Sequence, residues 1–102
     1  MTVQQAVLES TFHEMGYSSM ADYAVKKASE ELLREMKISL DAIDLFEKKY
    51  EMDFAQFRER FSELTQFSLF EREDDSMDWS AELAQLRLLE KRLTRLIPNA
   101  HS

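Results

Sequence analysis

The sequence predicts an all-α domain, and three observations carry that prediction. One glycine (Gly16) and one proline (Pro98) in 102 residues are too few turn formers for the tight hairpins of a multi-stranded sheet. Apolar residues recur at steps of three or four along most of the chain, which is the period of a helix and not of a strand. Hydrophobic residues make up 44% and charged residues 32%, a balance that lets amphipathic helices bury one face and solvate the other. A chain of this length is one small domain and buries only roughly 60 to 70% of its unfolded surface. A second copy is therefore expected to complete the bundle as a homodimer.

Residues 1–18 read as a short N-terminal helix, Ala6 to Met15, that Gly16 ends. Residues 19–50 carry the longest signal: Ala21, Val25, Ala28, Leu32, Met36, Leu40, Ile43, Phe46 and Tyr50 fall on one helical stripe. Ser18 or Ser19 can cap its start by accepting hydrogen bonds from free backbone N–H groups. Such a helix is about 46 Å long at 1.5 Å per residue. It is expected either to bend back near Lys37-Ile38-Ser39 or to pack against another copy.

Residues 53–65 read as a short aromatic helix folded back on the long one. Asp53 and Gln56 have the spacing of a capping box, and Met52 and Phe57 take the two staple positions around it. Phe54, Phe57, Phe61 and Leu64 share one face of this helix, away from Arg58, Glu59 and Glu63. Residues 66–77 show no clean period and read as an acidic loop. Residues 78–97 read as a C-terminal helix that Asp75, Ser76 or Asp78 can cap, with Trp79, Leu83, Leu86, Leu89, Leu93 and Leu96 in a near-heptad seam. Arg92 and Arg95 suit the negative end of its dipole, and Pro98 is expected to stop it.

The chain offers little material for catalysis. It has no cysteine and two histidines, His13 and His101, far apart in sequence, so neither a thiol nucleophile nor a zinc-type ligand set is available. The acidic residues Glu71, Glu73, Asp74, Asp75 and Asp78 lack the alternating order and the glycine of an EF-hand loop. The other carboxylates fall among i,i+4 ion pairs such as Glu30 with Arg34 and Asp44 with Lys48, the ordinary pattern of solvated helix faces. A noncatalytic protein without cofactor or metal is expected.

A net charge of −7 disfavours nonspecific binding to nucleic acid or anionic membrane. The acidity is uneven: residues 51–78 hold three basic and nine acidic groups, residues 79–102 four and two. No stretch approaches about eighteen uninterrupted apolar residues, and the start MTVQQAVLES lacks a basic and then apolar leader. With the absence of cysteine, a cytoplasmic location is expected. What remains is apolar surface. The stripe of Phe54, Phe57 and Phe61, with Phe67, Phe70 and Trp79, reads either as core or as a docking patch, two readings that converge if another chain completes the core.

Two stretches resemble known families. GYSSMADYAVKKASEELL, residues 16–33, resembles the second half of a ribbon-helix-helix repressor or antitoxin, which implies a dimeric DNA-binding regulator. Such proteins read DNA with an N-terminal strand of polar and basic side chains, whereas Thr2-Val3-Gln4-Gln5 is uncharged. Over residues 45–96, FEKKY, a short corner, Phe54-x-x-Phe57, an acidic stretch and a Trp79-containing helix are similar to the small helical proteins encoded beside RNase-like toxins in prokaryotic toxin-antitoxin pairs. That resemblance implies an antitoxin-like neutraliser of a cognate toxin. Glu71, Glu73, Asp74, Asp75 and Asp78 would face its basic residues, and Phe54, Phe57, Phe61 and Trp79 would form either the anchor or the platform beneath it. A structural homodimer or adaptor is the third reading.

Overall fold

The computed structural model describes residues 2–97. They form α1 (Val3–Glu14), α2 (Met20–Tyr50), α3 (Phe54–Glu59), a 3-10 turn (Phe61–Glu63) and α4 (Leu69–Leu96), with no strand among them. The all-α prediction holds. α2 and α4 pack antiparallel as a long hairpin: Phe46 near the end of α2 stacks on Trp79, and Lys49 reaches Glu71 and Asp75 at the start of α4. α3 and the 3-10 turn close that end of the hairpin, and the molecule measures 66 × 27 × 19 Å.

α2 starts where Ser19, in extended backbone, accepts a hydrogen bond from the Asp22 N–H at 3.0 Å. It runs through Lys37-Ile38-Ser39 as one helix, so the expected soft point is not used. The physical reason is cover from within the chain. α4 lies along most of that stripe, where Ile43 is buried, as is Leu89 on α4; the exception is Leu40, which is exposed while its neighbour Ser39 turns inward and is buried. α2 ends at Glu51, which takes a left-handed conformation with φ 57°. Glycine usually fills that role, and a side chain there costs on the order of 1 kcal/mol.

The corner after Glu51 is built as the sequence predicts. Asp53 Oδ1 accepts from the Gln56 N–H at 2.8 Å, and Gln56 Oε1 accepts from the Asp53 N–H at 3.0 Å. Met52 and Phe57 both join the core beside this cap. The aromatic helix is shorter than the expected 53–65, because α3 stops at Glu59 and the chain tightens into the 3-10 turn.

The expected acidic loop at 66–77 is corrected by the structure. α4 begins at Leu69, capped by Ser68, whose hydroxyl accepts from the Glu71 N–H at 3.1 Å. Asp75, Ser76 and Asp78, expected as caps, lie inside the helix. The segment hid its helical period because its inward positions are polar: Arg72 and Ser76 are buried and Asp75 is half-buried. Arg72 fills its site by donating to the backbone carbonyls of Phe61 (2.6 Å), Phe67 (3.1 Å) and Ser68 (3.4 Å), which binds the preceding turns to α4. Its guanidinium also lies 5.2 Å from the Phe61 ring centroid.

At the opposite end, α1 begins three residues earlier than expected, through a Thr2/Gln5 capping box. Gly16, with φ 93°, ends it, and the Gly16 and Tyr17 N–H groups donate to the His13 and Phe12 carbonyls. α1 docks on α2 through Phe12 stacked on Tyr23 at 4.6 Å, with Tyr17 edge-on to Tyr23 at 5.0 Å. Pro98 and His101, singled out in the sequence, lie outside the described residues.

Candidate interaction surface at the closed end of the hairpin

The residues singled out from the sequence gather at the closed end and divide into three groups. Phe57 and Trp79 are fully buried and, with Tyr50, Ile43 and Leu64, form the core that Phe46, Phe54, Phe61 and Phe67 pack around. The Trp79 ring lies 5.4 Å from Phe46, 5.2 Å from Phe54 and 5.2 Å from Phe57, while Tyr50 meets Phe57 at 4.6 Å and Phe67 at 4.7 Å. Phe57 and Trp79 are therefore covered within one chain and present no surface to a partner. Phe54 and Phe61 are half-buried at the edge of the cluster. The indole N–H of Trp79 is buried without a hydrogen-bond partner among the described residues.

The second group is Glu71 and Asp75, which turn inward to α2. Lys49 Nζ donates to Asp75 at 2.7 Å and pairs with Glu71 at 2.5 Å, and the Tyr50 hydroxyl donates to Asp75 at 2.5 Å. This lock joins the end of α2 to the start of α4 at the rim of the aromatic core. Bonding to Asp75 and then Glu71 raises the Lys49 ammonium above its ordinary value. Burial, and then the bond to Asp75, raise the Tyr50 phenol.

Both raised groups have the same linkage sign. The folded chain keeps protons that the unfolded chain releases above about pH 10, the ordinary tyrosine and lysine range. Their contribution is thus complete below that range and is lost as pH rises through the raised values. In urea titrations, the unfolding midpoint is expected to hold steady from neutral to mildly alkaline pH and to fall above about pH 10. Tyr50→Phe should flatten part of that fall and cost about 1 kcal/mol at neutral pH, the usual worth of such a bond.

The third group, Glu73, Asp74 and Asp78, points to solvent. Because this segment is helical, Phe70, Glu73, Asp74 and Met77 stand at i, i+3, i+4 and i+7 on one face of α4, with Asp78 at its margin. Phe70 is 79% and Met77 72% exposed. The face lies opposite the Arg72, Ser76, Trp79 and Leu83 side that packs inward. Beside it, an open groove of about 500 Å³ between α3 and α4 is lined by Arg58, Phe61, Glu73, Ser76 and Met77.

The sequence reading does not single out Met77, and it takes Phe70 only as one of the aromatics that are either core or docking patch, not as one of the binding residues. The i, i+7 spacing was the available signal, and reading the segment as a loop concealed it. No three His, Asp or Glu side chains among the described residues converge as metal ligands, and no described helix is long and apolar enough to cross a membrane. Comparison of the chain with protein-family models, curated proteins and solved structures finds no match in any of the three.

Proposed function

We propose that the chain is a noncatalytic binding protein that neutralises a cognate RNase-like toxin, and that it does so through the outward face at the start of α4. One observation carries this reading: two large apolar side chains, Phe70 and Met77, stand exposed among the carboxylates of Glu73, Asp74 and Asp78. The cationic cleft of an RNase attracts carboxylates, which speed encounter and fix orientation, while desolvated apolar anchors hold the complex. The resemblance of residues 45–96 to proteins encoded beside such toxins supplies the class of partner.

The buried aromatic cluster acts in this reading as the platform. It holds α4 rigid against α2 and α3, so that Phe70 and Met77 are presented with little ordering cost on binding. The test is co-expression with the product of the adjacent gene. The two are expected to purify as one complex, and the toxicity of that product is expected to be relieved. Elution of the chain alone together with unrelieved toxicity overturns the reading.

A further inference from the structure

The arm formed by α1 and the first turns of α2 lies at the other end of the molecule. α1 contributes no buried residue. Val3 is 83% exposed, and Val7, Leu8 and Met15 are also open. A twelve-residue helix is marginal by itself in water, even with good caps, and most helical stability comes from packing an apolar face. Phe12 against Tyr23 is the ring contact that α1 makes on α2.

α2 also projects beyond its partner helix. With Tyr50 opposite Asp75 and Phe46 opposite Trp79, an antiparallel register brings Leu96 level with about residue 29, since both helices rise 1.5 Å per residue. Met20 to Ala28 therefore extend past the end of α4. Val25 continues the stripe that α4 covers farther along, and it is exposed here. Tyr23, which receives α1, is two positions away and so about 200° around the helix. The arm thus has two open apolar faces on different sides, the outer side of α1 and the Val25 side of α2.

Charge indicates what covers them. Residues 2–28 hold three acidic groups (Glu9, Glu14, Asp22) and two basic ones (Lys26, Lys27), a net of −1 in a chain of −7. A basic partner is drawn to the other end. A second copy of this acidic chain meets less repulsion here than at that acidic end. It also brings both open faces itself, as an isologous contact requires. We propose that a second copy of the chain covers the arm, making a dimer whose two acidic ends point away from the shared contact. This proposal is independent of the toxin-binding reading.

The test is sedimentation of the full chain alone across micromolar concentrations, with a V3E/V7E variant beside it. The wild type is expected at twice the 12.1 kDa chain mass. The variant is expected to associate at least about a hundredfold more weakly, because it places unpaired carboxylates in the contact. Glutamates in these early positions favour an isolated helix through propensity and the dipole. If α1 stands alone, the variant therefore protects its amides from hydrogen exchange at least as well as the wild type. If a second copy covers α1, that protection is lost with the dimer. The single tryptophan, Trp79, reports whether the distant core stays folded. A wild type that is monomeric throughout, or a variant that keeps the dimer mass, overturns the proposal. A monomeric variant that still purifies with the adjacent gene product leaves the toxin-binding reading standing, so the two can fail separately.

Discussion

Replacing Trp79 by alanine is expected to lower stability by about 3–5 kcal/mol, as removal of a fully buried aromatic side chain does. The loss should be near the upper end, because the indole, on α4, contacts residues from two other segments: Phe46 and Tyr50 of α2, and Phe54 and Phe57 of α3. An alanine there leaves a cavity where all three segments meet. In a domain of this size, each kcal/mol moves the melting temperature by roughly 4–8 °C. The variant should therefore be largely unfolded at 37 °C by circular dichroism. Trp79→Phe is expected to cost much less. It loses volume, yet it also removes an indole N–H that is buried without a partner, which itself carries a penalty of about 1–3 kcal/mol. Equal losses for the two substitutions would contradict this account of the core.

The second large effect concerns the outward face of α4. F70A/M77A is expected to weaken the complex with the proposed toxin by about 2–4 kcal/mol, or roughly thirty- to a thousandfold, if these side chains are the buried anchors of the interface. Because both are exposed in the free chain, stability should change by no more than about 0.5 kcal/mol. D74K/D78K should act differently. Reversing rim charges should mainly slow association and weaken the salt dependence of the rate. Titration calorimetry and stopped-flow measurements separate the two. A complex whose affinity survives F70A/M77A, with the fold intact, places the interface elsewhere.

Local physical chemistry made much of the fold legible in the sequence. The corner at Met52-Asp53 could be read because a capping box is a short-range arrangement of an acceptor and a donor three residues apart, and both of its bonds are formed. The long helix could be read because its apolar stripe is continuous. The start of α4 could not, since its inward positions are Arg72, Asp75 and Ser76. Their fitness for the interior depends on partners distant in sequence: the Phe61 carbonyl for Arg72, and Lys49 and Tyr50 for Asp75. A polar residue becomes a core residue only when such partners arrive. No periodicity rule sees that.

The same difference separates the candidate binding residues. The sequence marked an acidic stretch as partner-facing and an aromatic stripe as either an anchor for the partner or the core platform beneath it. Tertiary packing divided both: Glu71 and Asp75 are drawn inward to Lys49 and Tyr50, and Phe57 and Trp79 are sealed in the core, while Glu73, Asp74 and Asp78 remain outside. The sequence by itself determined that this protein is helical, where its corner lies and where its negative charge is concentrated, because caps, periods and charges act within a few residues. Only the tertiary structure decided which carboxylates and rings stay exposed, because solvent exposure depends on how α2, α3 and α4 close over one another.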